Sequence, residues 1–334
     1  MRSRLRSPRA RDKLFAMSLR PFLLCLVCLP VCAQNPDRAA LDAQASELKA
    51  LVQQAPRLPY EKTVFKIQAP AAGWEIGYPS SVAMANDGTI YVLQRGEKAD
   101  PVLALNREGK ILRSWGKGMY QIPHSIRIDT QGNIWTVDSS SSMVLKFSPQ
   151  GEKLMGISVG EQPTGRGRTN GTSDIAFGPN GRLFISDGYG NARVLEYTAK
   201  GERVKQWGSA GTGPGQFQQP HGIAIDSDNI IYVADRRNGR LQRFDLNGKY
   251  LGEWANLGMV TTVAFRDGAL WIGTQQRNES TESDGWQMKI DRKTGKILGY
   301  MESAHGQHII NIAKNGDLFC GARPDTVLWF RAGR

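Results

Sequence analysis

The 334-residue chain is poor in cysteine and histidine, with four of each. Three of the cysteines, Cys25, Cys28 and Cys32, fall within the first 33 residues. Beyond that point only Cys320 remains, so a chain processed there can form no internal disulfide, and its stability must come from its core. Cys320 sits in a strand-like run and reads as a small buried hydrophobe. The longest apolar run, Pro21 to Cys32, is too short to span a bilayer comfortably. Helical periodicity is scarce as well. What is abundant is glycine, with 37 residues, and short runs of β-branched and aromatic side chains, which together point to an all-β fold with many tight turns.

The N-terminus reads as a targeting segment. Arg2, Arg4, Arg6, Arg9, Arg11 and Lys13 form a basic stretch ahead of the apolar run, and Val31-Cys32-Ala33 offers small residues for cleavage. The pattern predicts a signal peptide over residues 1–33, a mature chain starting at Gln34, and a periplasmic or secreted protein. Met17 is an alternative start, and an uncleaved anchor is the alternative reading of the same run. Val31 before Cys32 disfavours lipid attachment. The segment holds seven Lys/Arg and one Asp, so without it the net charge of +12 falls to +6. The basic excess is thus mostly targeting, and argues little for nucleic-acid partners. A monomer with no stable membrane insertion is expected after cleavage.

Residues 34–60 are polar and alanine-rich. Leu41, Ala45, Leu48, Leu51 and Val52 fall at helical spacing between Asp37 and Gln54, which predicts one short surface helix and then a linker ending at Pro59. Val64 to Ile67 reads as a strand. The remainder, 61–334, is one repeat array. Its units begin at Pro79, Pro123, Thr172, Pro220, Val260 and Gln307, at intervals of 44, 49, 48, 40 and 47 residues. Each start is followed by a polar turn, such as Asn86-Asp87-Gly88 or Lys314-Asn315-Gly316. Each turn leads into a strand carrying one aromatic: Tyr91, Trp135, Phe184, Tyr232, Trp271 or Phe319. A third and a fourth strand complete the unit. Six units of four short strands predict a six-bladed β-propeller with the first repeat strand innermost. The uninterrupted period argues against a β-sandwich array. The strand near Val64 is expected to complete the last blade. Spacing and turns resemble the NHL-repeat class of propellers.

His124, His221 and His308 occupy one register position, eleven residues before the blade aromatic, on units 2, 4 and 6. Alternate blades of a six-blade ring place side chains about 120° apart at one depth. Three imidazoles converging on an axis make a three-histidine metal site with an open position, which suits Zn²⁺ and catalysis. The alternative is that they are ordinary turn histidines. The other units carry Ser80, Ser173 and Thr261 there, which are poor ligands, and His305 is out of register.

Around those histidines the chain resembles the peptidyl-α-hydroxyglycine α-amidating lyase (peptidylamidoglycolate lyase) family. The resemblance rests on Pro123-His124-Ser125-Ile126 through Asp138, Ser173-Asp174-Ile175-Ala176 through Ser186-Asp187-Gly188-Tyr189-Gly190, Trp207-Gly208, Pro220-His221, and Val233-Ala234-Asp235-Arg236 through Gln242. It covers most of 75–334 and is strongest at 172–244. It implies a six-bladed propeller that cleaves a carbinolamide C–N bond, releasing a primary amide and glyoxylate. It implies zinc on His124, His221 and His308, a catalytic tyrosine at Tyr189, and two active-site arginines at Arg95 and Arg236. Both arginines lie four residues after their blade aromatic, a register expected to bring them to one channel mouth. There they can hold a substrate carboxylate in paired hydrogen bonds.

The chain also departs from the family. Gly306-Gln307 stands where the family has Met-Pro before the third histidine. Ile309 stands where it has a calcium-binding Asp, which puts a Ca²⁺ site in doubt although the carbonyl of Ile126 remains. Cysteines flanking the tyrosine and the Arg236 segment are missing, which removes disulfides and leaves the chemistry. A smaller N-acyl or ureido hydroxyglycine fits the same residues as a peptide does. Two other functions fit part of the pattern. A non-catalytic NHL propeller binding protein or glycan partners explains the repeat but not the alternate-blade histidines. A propeller hydrolase such as a lactonase more often uses carboxylates and Asn on calcium.

Overall fold

A computed structural model describes residues 38–162, 169–275, 285–303, 308–322 and 324–333. The predicted signal segment, His305 and the Gly306-Gln307 departure lie outside the described residues. Among the described residues are six four-stranded antiparallel sheets that follow one another in sequence. Blade 1 runs from Pro79–Met84 to Ile111–Trp115, and blades 2, 3, 4 and 5 open with Pro123–Ile128, Asp174–Phe177, Pro220–Ile225 and Met259–Arg266. Blade 6 takes its three later-sequence strands, Asn311–Ile312, Leu318–Gly321 and Thr326–Ala332, from the C-terminal end. Its outermost strand is the N-terminal Tyr60–Lys66, in register from Tyr60 opposite Ala332 to Lys66 opposite Thr326. The chain's two ends therefore close the ring.

Burial falls outward through each blade, which is why the inner strands are apolar. The second strand Ile231–Asp235, for example, is buried throughout, whereas the outer strand Arg203–Trp207 is exposed at Arg203, Val204 and Gln206. The six blade aromatics lie in those second strands, each at most 2% exposed, and form the layers between blades. The polar turns are closed by side chains. Asp226 Oδ1, for example, accepts the backbone N–H of Asp228 and of Ile230, at 2.9 Å each, an Asx-type lock that explains the recurrent Asp and Asn. The helix Arg38–Gln53 forms as expected, but it is more than a surface element. Leu48 and Val52 are fully buried against Leu257, Val260 and Trp286 of blade 5.

The sixth inner strand is shorter than the repeat predicts. It spans only Asn311–Ile312, and His308 precedes it outside any strand. The reason is where Ile310 sends its backbone. Its N–H donates to Thr262 Oγ1 at 3.1 Å and its carbonyl accepts Arg127 Nη1 at 2.7 Å, so neither serves the sheet ladder.

Candidate metal centre

The three register histidines meet at the channel. Their ring centroids lie 4.2 to 4.9 Å apart, and their ligand atoms all lie within 4.8 Å of one another. The Tyr189 hydroxyl sits among them, 2.9 Å from His124 Nε2, 3.0 Å from His221 Nε2 and 3.2 Å from His308 Nε2.

The far side of each ring decides what these nitrogens can do. His124 Nδ1 lies 2.5 Å from the carbonyl oxygen of Ser173, and His221 Nδ1 lies 2.5 Å from that of Thr261. A carbonyl only accepts, so each Nδ1 carries the proton and each Nε2 presents a lone pair. The rule is that a histidine donates to the next blade at its own register position. His308 breaks it, since its Nδ1 is buried with no partner. Burial holds all three rings well below the ordinary histidine pKa, and Arg95 and Arg236 push each the same way; His124 and His308 are lowered further by neighbouring histidines. They are therefore neutral, which is the ligand form. One phenolic proton cannot satisfy even the two fixed acceptors, His124 Nε2 and His221 Nε2, so the donor set fits a divalent metal ion bound by three imidazoles.

Local sequence explains why Tyr189 arrives there. Gly188 packs on the Pro220 backbone and Gly190 on the carbonyl of Asn170, so closely that neither place admits a side chain. The Tyr189 N–H donates to Gly171 O at 3.1 Å. Ser186 Oγ donates to His221 O at 2.7 Å, tying the tyrosine's strand to the ligand's. Burial raises the Tyr189 pKa, and the guanidinium groups of Arg236, Arg95 and Arg237 pull it back down.

The two predicted arginines lie close enough to act electrically on these groups. Arg95 donates through Nε to Pro123 O at 2.9 Å, one residue before His124. Arg236 donates through Nη2 to Gln275 Oε1 at 2.8 Å, and its Nε is buried with no partner. The Arg236 N–H is held by the carbonyl of Gln219, whose φ of +96° is strained for a residue with a side chain. Asp235 anchors this turn by accepting from Gln218 N at 2.8 Å and Arg240 Nε at 2.9 Å. Asp187 does the same for the tyrosine loop through Arg193 Nε, also at 2.8 Å.

Sequence reasoning passed over Tyr78. Its ring lies under the Arg95 guanidinium, 5.9 Å from centroid to Cζ, and burial pushes its hydroxyl up to about 12. Its place beside Pro79, the start of the first repeat unit, was the only signal. The calcium arrangement does not fit. Ile309 is fully buried and apolar, and the Ile126 carbonyl already accepts Asn311 Nδ2 at 3.2 Å. The guanidinium of Arg127 fills the channel beside it.

A family described as a 6-bladed beta-propeller matches residues 170–316. A Caenorhabditis elegans protein named "Probable peptidyl-alpha-hydroxyglycine alpha-amidating lyase" is 30% identical over 247 residues, covering 69% of this chain and 69% of that one. The peptidyl-glycine alpha-amidating monooxygenase of Mus musculus is 35% identical over 176 residues, 49% of this chain. That match spans only 18% of the mouse protein's length. Among solved structures, a streptogramin B lyase matches with a TM-score of 0.57 and 18% identity, covering 82% of this chain and 98% of that one, a likeness of fold alone.

Proposed function

From the premise that the chain belongs to the peptidyl-α-hydroxyglycine α-amidating lyase family, we propose that it is a zinc-dependent lyase acting on an α-hydroxyglycine, releasing an amide and glyoxylate. The observation that carries this is the single hydroxyl of Tyr189 set among three imidazole Nε2 atoms. His124, His221 and His308 would hold the metal. Bound there, zinc supplies a Lewis acid that lowers the pKa of a hydroxyl brought to it.

The chain's own groups do the rest. Arg95 and Arg236 bind and orient the substrate carboxylate; the partnerless Nε of Arg236 is a donor awaiting an acceptor. Tyr189 removes the proton from the carbinol hydroxyl. The oxygen's electron pair then forms the aldehyde C=O, the C–N bond breaks, and the leaving nitrogen takes back the proton from Tyr189. The arginines favour the phenolate that burial opposes.

The basic and apolar pattern in residues 1–33 supports export to the periplasm or the outside of the cell. Among the described residues no helix is long and apolar enough to cross a membrane. N-terminal sequencing of the mature protein should begin at Gln34. The decisive experiment combines metal analysis with a glyoxylate assay on an acyl-α-hydroxyglycine. One equivalent of zinc is expected, with activity falling about 10²- to 10⁴-fold in Tyr189→Phe. Protein without zinc, or a Tyr189→Phe variant with full activity, would sink the reading.

A further inference from the structure

Below the histidines the side chain of Arg127 crosses the channel. At the inner-strand position paired with the blade aromatic, four blades carry alanine: Ala83, Ala176, Ala224 and Ala264. Blade 2 carries Arg127 opposite Trp135, and blade 6 carries Asn311 opposite Phe319. Arg127 reaches from blade 2 to blade 5, which stands across the ring, so its guanidinium lies at the axis.

All five guanidinium N–H groups have acceptors. Nε donates to Asp174 Oδ1 at 3.0 Å, and Nη2 to Asp174 Oδ2. Nη1 donates to Ile310 O at 2.7 Å and Asn311 Oδ1 at 2.9 Å. Nη2 also reaches Val263 O at 3.5 Å. Asp174 is fully buried and Arg127 nearly so. The Asn311 amide in turn donates to Val82 O and Ile126 O, at 2.8 and 3.2 Å. A carboxylate, an amide oxygen and two carbonyls around one positive charge form a hard-oxygen set of the kind a divalent cation takes. Here the cation is covalently part of the chain.

The partners are neighbours of the metal centre. Arg127 is three residues past His124. Ile310 is two past His308. The Ile223 N–H, two past His221, donates to Asp174 Oδ2 at 3.3 Å. Asp174 follows Ser173, whose carbonyl receives His124, and Val263 is two past Thr261, whose carbonyl receives His221. Every segment that carries a ligand or receives a ligand's N–H is tied to this cluster.

We propose that Arg127 is a positioning residue for the three-histidine centre. Held by Asp174 and Asn311 at the axis, it takes the place of a second bound cation and sets the spacing of the segments that present His124, His221 and His308. The protein then needs one metal ion per chain and none in the channel below. This rests on the metal-centre reading above, and the test separates the two.

Wild-type holoprotein, Arg127→Ala and Arg127→Lys are compared by zinc affinity in chelator competition, by the visible absorption of the cobalt-substituted forms, and by melting with and without millimolar calcium. The wild-type melt should ignore the calcium. Arg127→Ala should bind zinc about 10- to 100-fold more weakly, the usual effect of losing a group that orients ligands. Its cobalt spectrum should shift, and calcium should raise its melting temperature. Arg127→Lys should recover part of the zinc affinity. If Arg127→Ala does not fold, Asn311→Ala, which keeps the pair with Asp174, should show a smaller loss in the same direction. Stoichiometric calcium in the wild type, or wild-type zinc affinity and cobalt spectrum in the variant that folds, would overturn the proposal. A wild type that binds no zinc would instead remove the functional reading.

Discussion

A Cβ placed on Gly188 would stand 1.9 Å from the carbonyl oxygen of Pro220. This approach sets the tyrosine loop of blade 3 against the start of the strand that carries His221. Gly188→Ala must therefore separate the two, and Tyr189 is the nearer to move. A displacement of about 1 Å costs on the order of 100-fold in rate. The expected result is that loss in glyoxylate release, with zinc content and circular dichroism near wild type. Loss of zinc together with activity would mean that the ligand strand had shifted instead.

Arg95 and Arg236 are expected to act on binding through the carboxylate. Removing one charge-assisted hydrogen bond is worth about 1.5–3 kcal/mol, roughly 10- to 150-fold in kcat/KM. Arg236→Ala should show this mainly in KM. Arg236→Lys should keep charge but lose the planar fork, and recover only part. An analogue with the carboxylate replaced by a methyl group should show no KM difference between wild type and variant, leaving only a kcat difference from the lost pull of Arg236 on Tyr189, as steady-state kinetics would reveal.

Most of the fold was legible because the repeat states its own period. The six aromatics and the turn residues mark each blade, and the ring closure follows from one strand left over at the N-terminal end. The histidine triad was legible for the same reason, since three rare residues share one register. What was not legible is how the channel is filled. Arg127 and Asn311 each look like a strand residue among others, and only the alanines at the same register give a hint. The short sixth inner strand escaped too, because the backbone of Ile310 is diverted by Thr262 and Arg127, partners more than 40 residues away in sequence. The burial of Leu48 and Val52 was hidden because helical spacing shows a face without showing what it packs on.

In metal-stripped protein the three histidines should make stability depend on pH. Their folded pKa values lie well below 6.5, chiefly through burial. Below pH 6.5 the unfolded chain therefore binds protons that the folded chain refuses. Stability is fully present above that pH and is lost as pH falls through it, by about 1.4 kcal/mol per histidine per unit. Urea melts of EDTA-treated protein at pH 7.5, 6.5 and 5.5 should show the decline begin between the last two. His221→Gln, which has no group titrating there, should reduce the slope by about a third.

Ring closure and metal binding should reinforce one another. His308 belongs to blade 6, the only blade built from both ends of the chain, and its outer strand Tyr60–Lys66 is held by pairing with Thr326–Ala332 and by Phe65 edge-on to Trp329 at 6.4 Å. A metal ion bound by His124, His221 and His308 links blades 2, 4 and 6 and so spans the closure from inside. Ligand that binds only the folded state stabilises it by about 4 kcal/mol at a thousandfold excess over Kd. Zinc should therefore raise the melting temperature of the intact protein by roughly 6 °C. Phe65→Ala loosens the seam without touching a ligand. In the EDTA-treated form it should melt below wild type, and the zinc-dependent rise should shrink, because a looser blade 6 presents His308 less well. An equal zinc shift in both proteins would mean that the centre does not sense the seam, and that the sixth blade is held in place by its inner strands alone.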